Sequence, residues 1–563
     1  MRVGGQYIQR TLAVALTTLA CSLVWLGCDR PPPPQPPVQT AVTPPVPSPE
    51  PPPPEPKPAV EPPAVAAVPP VEAPVTEPKT PAETPPAEPP AKTTKKLPDQ
   101  PLFAGWPEPK LVFFITGQQQ GYIEPCGCTG LENQKGGLAR RQTLLNDLRE
   151  KRGWNVVAID VGSQSKRFGR QPEIKFQRTT EALRAMGYSA VALGADDLRL
   201  TAGELTVATN PDDQPSMFVG ANVAVLDRGL QPRFKVIEAG GKKIGITAVL
   251  GDSFEQKLAG DELIHEPALA ALEKVSAELK DQKCDLNVLL CHASLAESRT
   301  IAAAAPLFDL VVTAGGVGEP TLELEQITGS KAKMAQVGTK GMYVGVVGVF
   351  DDPKMPFRYE RVPLDARWKD SPAMLQLLAD YQQQLEQMGL TELGLRPQPH
   401  PSGLQFVGSD KCGECHTKAF EIWQKTTHAH ATDSLVTPPG DRGHIARHFD
   451  PECLSCHVTG WEPQKFFPFA SGYTSLSGTP LMKQNGCENC HGPGSAHVAA
   501  ESGAEQLAQA EVLKRRDAMK LPLAGGVAER KCMECHDLDN SPDFHVKGAF
   551  EKYWKEVEHK GKD

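Results

Sequence analysis

The chain has 563 residues, with 59 Lys and Arg against 68 Asp and Glu, a formal charge of −9. That length accommodates two or three domains once non-globular segments are set aside, and the mildly acidic balance gives no support to a nucleic-acid partner. Of its 14 cysteines, eight fall in one repeated pattern near the C-terminus and six lie elsewhere.

Residues 1–28 have the layout of a secretory signal. Arg2 and Arg10 precede an apolar run from Leu12 to Leu26, which is short for a spanning helix. Trp25-Leu26-Gly27-Cys28 resembles a bacterial lipobox, in which Cys28 would be lipidated and become N-terminal. Thr18-Leu19-Ala20-Cys21 is a second candidate; an ordinary cleaved signal and an uncleaved anchor are the other readings. Every version exports the rest of the chain, so the expected location is the periplasm or the outer face of a bacterial membrane, held there by a lipid or by the signal itself. Residues 29–104 read as a disordered linker. From Pro31 to Pro101 the chain has no Cys, aromatic or Gly residue, cannot bury a core, and samples polyproline II. At about 3.1 Å per residue it could reach on the order of 200 Å.

Residues 105–366 change character. LVFFITG (111–117), NVVAIDVG (155–162), SAVALG (189–194), KKIGITAVLG (242–251), DLNVLLCHAS (285–294) and FDLVVTAGG (308–316) are short β-branched runs ending near Gly or Ser. Helical stretches at 137–151, 176–187 and 269–282 alternate with them, which predicts an α/β domain on largely buried strands. Cys284 and Cys291, at an apolar strand, read as small core residues. Residues 367–404 read as a connector: one amphipathic helix over 371–389, then the break Pro397-Gln-Pro-His-Pro401.

Residues 405–563 contain Cys412-Gly-Glu-Cys415-His416, Cys453-Leu-Ser-Cys456-His457, Cys487-Glu-Asn-Cys490-His491 and Cys532-Met-Glu-Cys535-His536. A zinc site or a disulfide loop can use paired cysteines, but neither demands His at the next position each time. Covalent haem does: two thiols add to the vinyl groups and the adjacent imidazole ligates iron. With 14 His in 563 residues, four such histidines arise by chance about four times in ten million, which decides for the c-type signature. Four c-type haems are expected, with His416, His457, His491 and His536 as proximal ligands. Seven further histidines lie here: His428, His430, His444, His448, His497, His545 and His559. Their enrichment favours mostly bis-histidine ligation, with His430, His497 and His559 as the leading distal candidates and His428 and His545 next. About 160 residues around four macrocycles must take much of their core from the porphyrins, which places the haems close together.

The segments KCGECHTKAFEIWQKTTHAHA, DPECLSCHVTGW, NGCENCHGPGSAH and KCMECHDLDNSPDFHVKGAFEKYWKEVEH resemble the tetrahaem cytochrome c-554 family. The resemblance implies periplasmic electron transfer to redox partner proteins, mainly bis-His haems and sometimes one five-coordinate centre. ITGQQQGYIEPCGCTG (115–130) resembles the opening of the 5'-nucleotidase branch of metallophosphoesterases. That family's Asp and His at the first motif correspond to Gln118 and Gln120 here. Its Asp-x-Gly-Asp corresponds to Asp160-Val161-Gly162-Ser163, its Gly-Asn-His-Glu to Gly194-Ala195-Asp196-Asp197, and its Gly-His-x-His to Gly315-Gly316-Val317-Gly318. Only Asp160 and His292 survive, so this resemblance implies the fold without the activity. The expected architecture is multidomain: an α/β metallophosphoesterase-like sandwich followed by a mainly helical, loop-rich multihaem cytochrome c domain. Cys126 and Cys128 stand in a loop at a strand's C-terminal end. They read either as a structural pair or as a thiol redox or metal site, with Lys135, Arg140 and Arg141 favouring thiolates. The leading functional expectation is an electron carrier. The alternatives are a multihaem oxidoreductase of a small nitrogen or sulfur compound, and a phosphoesterase fused to haems.

Overall fold

The computed structural model describes residues 101–125, 134–167, 169–210, 215–258, 262–439 and 444–560. The signal with Cys28, nearly all of the Pro-rich linker, and Cys126 and Cys128 lie outside the described residues. Among the described residues no helix is long and apolar enough to cross a membrane.

Strands β1 (Leu111–Thr116), β2 (Val156–Asp160) and β3 (Tyr188–Val191) are followed by the short β4 (Val223–Val225), then β5 (Phe234–Ala239) and β6 (Lys242–Leu250). Next come β7 (Leu263–His265), β8 (Leu286–His292), β9 (Leu310–Thr313), β10 (Glu325–Gln326) and β11 (Lys333–Gln336). Strands β12 (Tyr343–Val349) and β13 (Phe357–Pro363) close the series. They form a five-stranded sheet ordered β13-β12-β1-β2-β3 and a six-stranded sheet ordered β10-β11-β9-β8-β6-β5. In β1, Leu111, Phe113 and Ile115 face the second sheet. Val112 and Phe114 face the helices on the other side. This period of two is what a strand's side-chain alternation dictates when both faces are covered, and it explains why LVFFIT is apolar throughout. Each fully buried Phe there contributes about 1.5–3 kcal/mol.

Helices α1 (Leu138–Asn146), α2 (Arg170–Ala185) and α3 (Ala202–Thr209) share the outer core of the first sheet, and α4 (Ala268–Gln282) and α5 (Leu295–Ala304) cover the second. The result is a four-layer α-β-β-α sandwich. Side-chain caps start α3 and α5: Thr201 accepts from the Glu204 amide and Ser294 from the Glu297 amide, each satisfying an otherwise orphaned N–H. The stretch expected as a connector is instead part of this core. Helix α6 (Pro372–Glu392) begins at the Ser371 cap and buries Met374, Leu377, Leu378, Tyr381 and Leu385 against α1 and α2. Its apolar stripe reads as amphipathic because one face is needed to cover the first sheet's helical layer.

The C-terminal region is helical and loop-rich. Its helices are α7 (Ser409–Gly413), α8 (Thr417–Gln424), α9 (Ala431–Val436), α10 (Pro451–His457), α11 (Cys487–His491), α12 (Ser495–Glu501), α13 (Gln509–Ala518), α14 (Val527–Cys532) and α15 (Ala549–Val557). Among the described residues, its own buried apolar cluster holds eight, including Phe406, Leu454, Trp461 and Tyr473. So small a cluster cannot stabilise a region of this length unaided. The region is tied to the sandwich by ion pairs. Glu124 grips Arg447 through both guanidinium ends, and Asp539 takes Lys166 at 2.8 Å and Lys340 at 2.9 Å.

Candidate functional site

Each of the four repeats is a single helical turn. The His416 and His536 amides bond back to the Cys412 and Cys532 carbonyls at 3.0 and 2.9 Å. Second and third repeats lie on α10 and α11. Positions i, i+3 and i+4 of one turn share a face, so both sulfurs and the imidazole of a repeat address the same space. Three of the imidazoles are oriented through Nδ1: His457 to the Ala431 carbonyl at 2.8 Å, His491 to the Met519 carbonyl at 2.7 Å, and His536 to Ser541 Oγ at 3.1 Å. Such a bond fixes the ring and leaves Nε2 as the donor atom for a metal.

The distal candidates separate clearly. His497 stands 6.1 Å from His416 between ring centroids, His428 6.1 Å from His536, and His559 5.8 Å from His491. Metal–imidazole bonds of about 2.0–2.1 Å on each side of one ion separate two ring centroids by roughly 6 Å. The His497 Nδ1 is buried without a hydrogen-bond partner, and the His559 Nδ1 is occupied by the Val557 carbonyl at 2.8 Å. Burial holds the His428, His491 and His497 pKa values below the ordinary histidine range and lowers that of His536 to about 4. All four are therefore neutral near pH 7, the form a metal requires. The ranking of His430 over His428 is corrected: His430 is exposed and turned to Asp433 at 3.9 Å. His545 points its Nε2 at the His536 carbonyl, 2.9 Å away. His444 is exposed, and the His448 ring packs on Phe449 with centroids 3.9 Å apart.

A cavity, partly open to solvent, is lined by Cys532, Cys535, His536 and His428, with Phe406, Trp461, Phe469 and Phe544 among its walls. Two attachment sulfurs, two imidazoles and an aromatic lining fit a c-type haem. The sulfurs, which stand for thioethers once haem is attached, also show which repeats adjoin. Cys412 is within hydrogen-bond reach of Cys487, and Cys456 of Cys535, while Cys490 lies in electrostatic range of Cys532 and Cys535. First adjoins third, third adjoins fourth, and fourth adjoins second. Buried Glu488 fixes part of this arrangement, accepting the Val407, Gly408 and Gly494 amides; burial pushes its pKa up despite those bonds. Asn485 ties the second repeat to the third through the Cys456 carbonyl at 2.8 Å.

The strand-end cleft of the sandwich is knit together by internal hydrogen bonds and an ion pair. Asp160 is fully buried, accepting Thr116 Oγ1 at 2.5 Å, the Gly162 amide at 2.8 Å and Gln164 Nε2 at 2.6 Å. Its facing cation is Arg141, also fully buried, with Nη1 3.9 Å from Oδ2 and Nη2 donating to Gln119. His292 has Nδ1 on the Val161 carbonyl at 2.9 Å and Nε2 3.4 Å from Ser163 Oγ. Asp197 accepts the amides of Ser163, Ser165 and Gly194 at 2.8–2.9 Å and so pins two loops; burial raises its pKa to about 7. Gln118 donates to the Ala314 carbonyl at 2.8 Å. Among the described residues no group of three or more His, Cys, Asp or Glu side chains is arranged to hold a metal ion. The loops nevertheless keep a demanding shape. Gln118, Gln120 and Ser163 have φ of 49°, 56° and 62°, costing about 1–3 kcal/mol each. At Gly162, with φ 90°, a Cβ would meet Gly194 N at 2.6 Å. Cys291 is buried in the core, its thiol pushed up to about 12 by burial.

Comparison with known proteins separates the two regions. The family profile for cytochrome c554 and c-prime matches residues 411–492. Cytochrome c-554 of Nitrosomonas europaea is 27% identical over 172 residues, covering 28% of this chain and 68% of the relative. Apyrase of Aedes albopictus is 24% identical over 298 residues, 47% of this chain and 53% of the relative, so the chain spans about half the length of that enzyme. Among solved structures, the 5'-nucleotidase precursor of Thermus thermophilus is 18% identical with a TM-score of 0.44, covering 58% of this chain and 66% of its own. Haemophilus influenzae NAD nucleotidase is 15% identical with a TM-score of 0.41, covering 53% and 62%. The C-terminal region therefore contains a cytochrome c554 domain, and c-type haem is the cofactor that domain implies.

Proposed function

We propose that the chain is an exported, membrane-tethered cytochrome that relays electrons through four covalently bound c-type haems, and that its α/β region has lost phosphoesterase catalysis. The observation that carries the first half is the pairing of three motif imidazoles with distal imidazoles at 5.8–6.1 Å. A haem held by such a histidine pair would supply one-electron carriage. The chain's own residues keep His428, His491, His497 and His536 neutral, fix the His457, His491 and His536 rings through Nδ1, and bring the repeats into the order first, third, fourth, second. That order is a continuous path between two ends, each of which can meet a separate periplasmic redox protein. The Pro-rich linker gives the folded part reach from a lipid anchor at Cys28 or from an uncleaved signal. The second half rests on Asp160 and His292, whose donor and acceptor atoms are already engaged by Thr116, Gln164, Arg141, Val161 and Ser163.

An EPR-monitored redox titration of the haem-matured protein tests this reading, together with a phosphatase assay in Mn²⁺ and in EDTA. Four haem irons titrating, with low-spin signals from the three paired sites and no metal-dependent hydrolysis, is the expected result. Hydrolysis of a nucleotide or phosphate ester that EDTA abolishes would overturn the inactive assignment. Turnover of a small nitrogen or sulfur compound at an exchangeable haem would replace the carrier by an oxidoreductase.

A further inference from the structure

Helix α10, which presents Cys453, Cys456 and His457, is bedded on the α/β region through charge. Asp450 caps the helix by accepting the Glu452 amide at 2.9 Å. It is held in turn by Gln171 Nε2 at 2.7 Å on Oδ1 and by the Tyr381 hydroxyl at 3.0 Å on Oδ2. In the first turn, Glu452 takes Lys175 Nζ at 2.7 Å and Arg167 Nη1 at 3.0 Å, and the Arg167 guanidinium lies 4.1 Å over the Phe466 ring. On the far side Glu124 holds Arg447. Three cations thus face three carboxylates in a largely desolvated seam, with the Lys175 side chain 11% exposed and Asp450 4%.

The seam lies beside the sulfurs. Glu452, which holds Lys175 and Arg167, directly precedes Cys453 on the same helix, and Lys175, Asp450, Glu124 and Arg447 are in electrostatic range of Cys453, Arg167 of Cys456. An interface made only to hold two regions together gains little from buried ions, since apolar packing does as well without the desolvation penalty. A charge beside a redox centre, in contrast, shifts the centre's equilibrium by its Coulomb interaction with the iron's change of charge.

We infer that the α/β region sets the reduction potential of the haem held by Cys453, Cys456 and His457, with Lys175 and Arg167 as the residues that tune it from outside the haem domain. This rests on the four-haem reading above. A positive charge favours the ferrous form, so removing it lowers the potential and removing a carboxylate raises it. Lys175→Met in the full-length, haem-matured protein is expected to lower one of the four midpoints, by about tenfold in that haem's reduction equilibrium, or about 59 mV for a one-electron couple. Glu452→Gln is expected to raise the same component, and the double variant to return it towards the wild-type value. Arg167→Gln, at a partly exposed side chain, repeats the downward shift should Lys175→Met not accumulate. Midpoints that stay put, or that move the same way in the lysine and glutamate variants while four haems are counted by mass, would overturn the inference. A wild-type protein with fewer than four haems would overturn the reading beneath it instead.

Discussion

Replacing His428 by alanine is expected to give the protein one more high-spin, ligand-accepting haem per chain than the wild type, while His430→Ala leaves the spectrum unchanged. The two histidines are separated by one residue, yet only His428 lines the cavity shared with Cys532, Cys535 and His536, with its ring 6.1 Å from that of His536. His430 is exposed beside Asp433. Loss of the His428 imidazole removes a strong-field ligand, so the iron of the fourth repeat becomes five-coordinate and binds cyanide when ferric or carbon monoxide when ferrous. Added imidazole should restore the low-spin signal if the cavity stays open. Equal spectra for His428→Ala and wild type would mean that the distal pairing is wrong at this repeat. A change in His430→Ala alone would reverse the assignment.

The second large effect is on stability. Arg141→Leu is expected to lower the unfolding free energy of the sandwich by about 3–5 kcal/mol, the usual cost of stranding one member of a buried ion pair. Asp160 would keep its bonds from Thr116, Gly162 and Gln164 but lose the cation facing it. Arg141→Lys retains the charge and loses the fork that also reaches Gln119, so its loss should be smaller. Denaturant unfolding of the two variants, followed by Trp fluorescence and checked for unchanged slope, measures both. A loss below about 1 kcal/mol for Arg141→Leu would show that the guanidinium does not hold the charge of Asp160.

Much of the sandwich was legible because buried parallel strands are continuous apolar runs. The expected strands at 111–117, 155–162, 189–194, 242–251, 285–294 and 308–316 correspond to β1, β2, β3, β6, β8 and β9. Strands β12 and β13 were not read. In YVGVVGV two glycines interrupt the side-chain pattern, and they are there because Tyr359 fills the space over Gly345 and Trp106 and Phe350 that over Gly348. The alternating charges of FRYERVP belong to an antiparallel edge strand with one partner. Helix α6 was visible as a helix but not as core, since its apolar stripe does not say which surface it covers.

At the haem repeats the signal is local: Cys, Cys and His at i, i+3 and i+4 carry the chemistry within one turn. The histidine pairs are long-range contacts, as in His416 with His497, and sequence spacing does not rank His428 against His430. In the cleft, the loss of ligand residues was evident from the replaced motifs. That Arg141 supplies the facing cation was not, because an Arg in the first turn of a helix looks like solvated surface. Lys175, Gln171, Tyr381 and Asp450 carried no signal for the same reason: only the docking of α10 on α2 and α6 makes them one cluster.

The proposed electron relay requires covalent haem at every one of the four repeats. The most direct measurement is the intact mass of the protein purified from a host that matures c-type cytochromes, read beside its pyridine haemochrome absorbance. A mass increased by four haems, retained after denaturation in acid, is the expected result. A denatured chain that releases its porphyrin, or one that carries zinc at the thiol pairs and shows no Soret band, would contradict it.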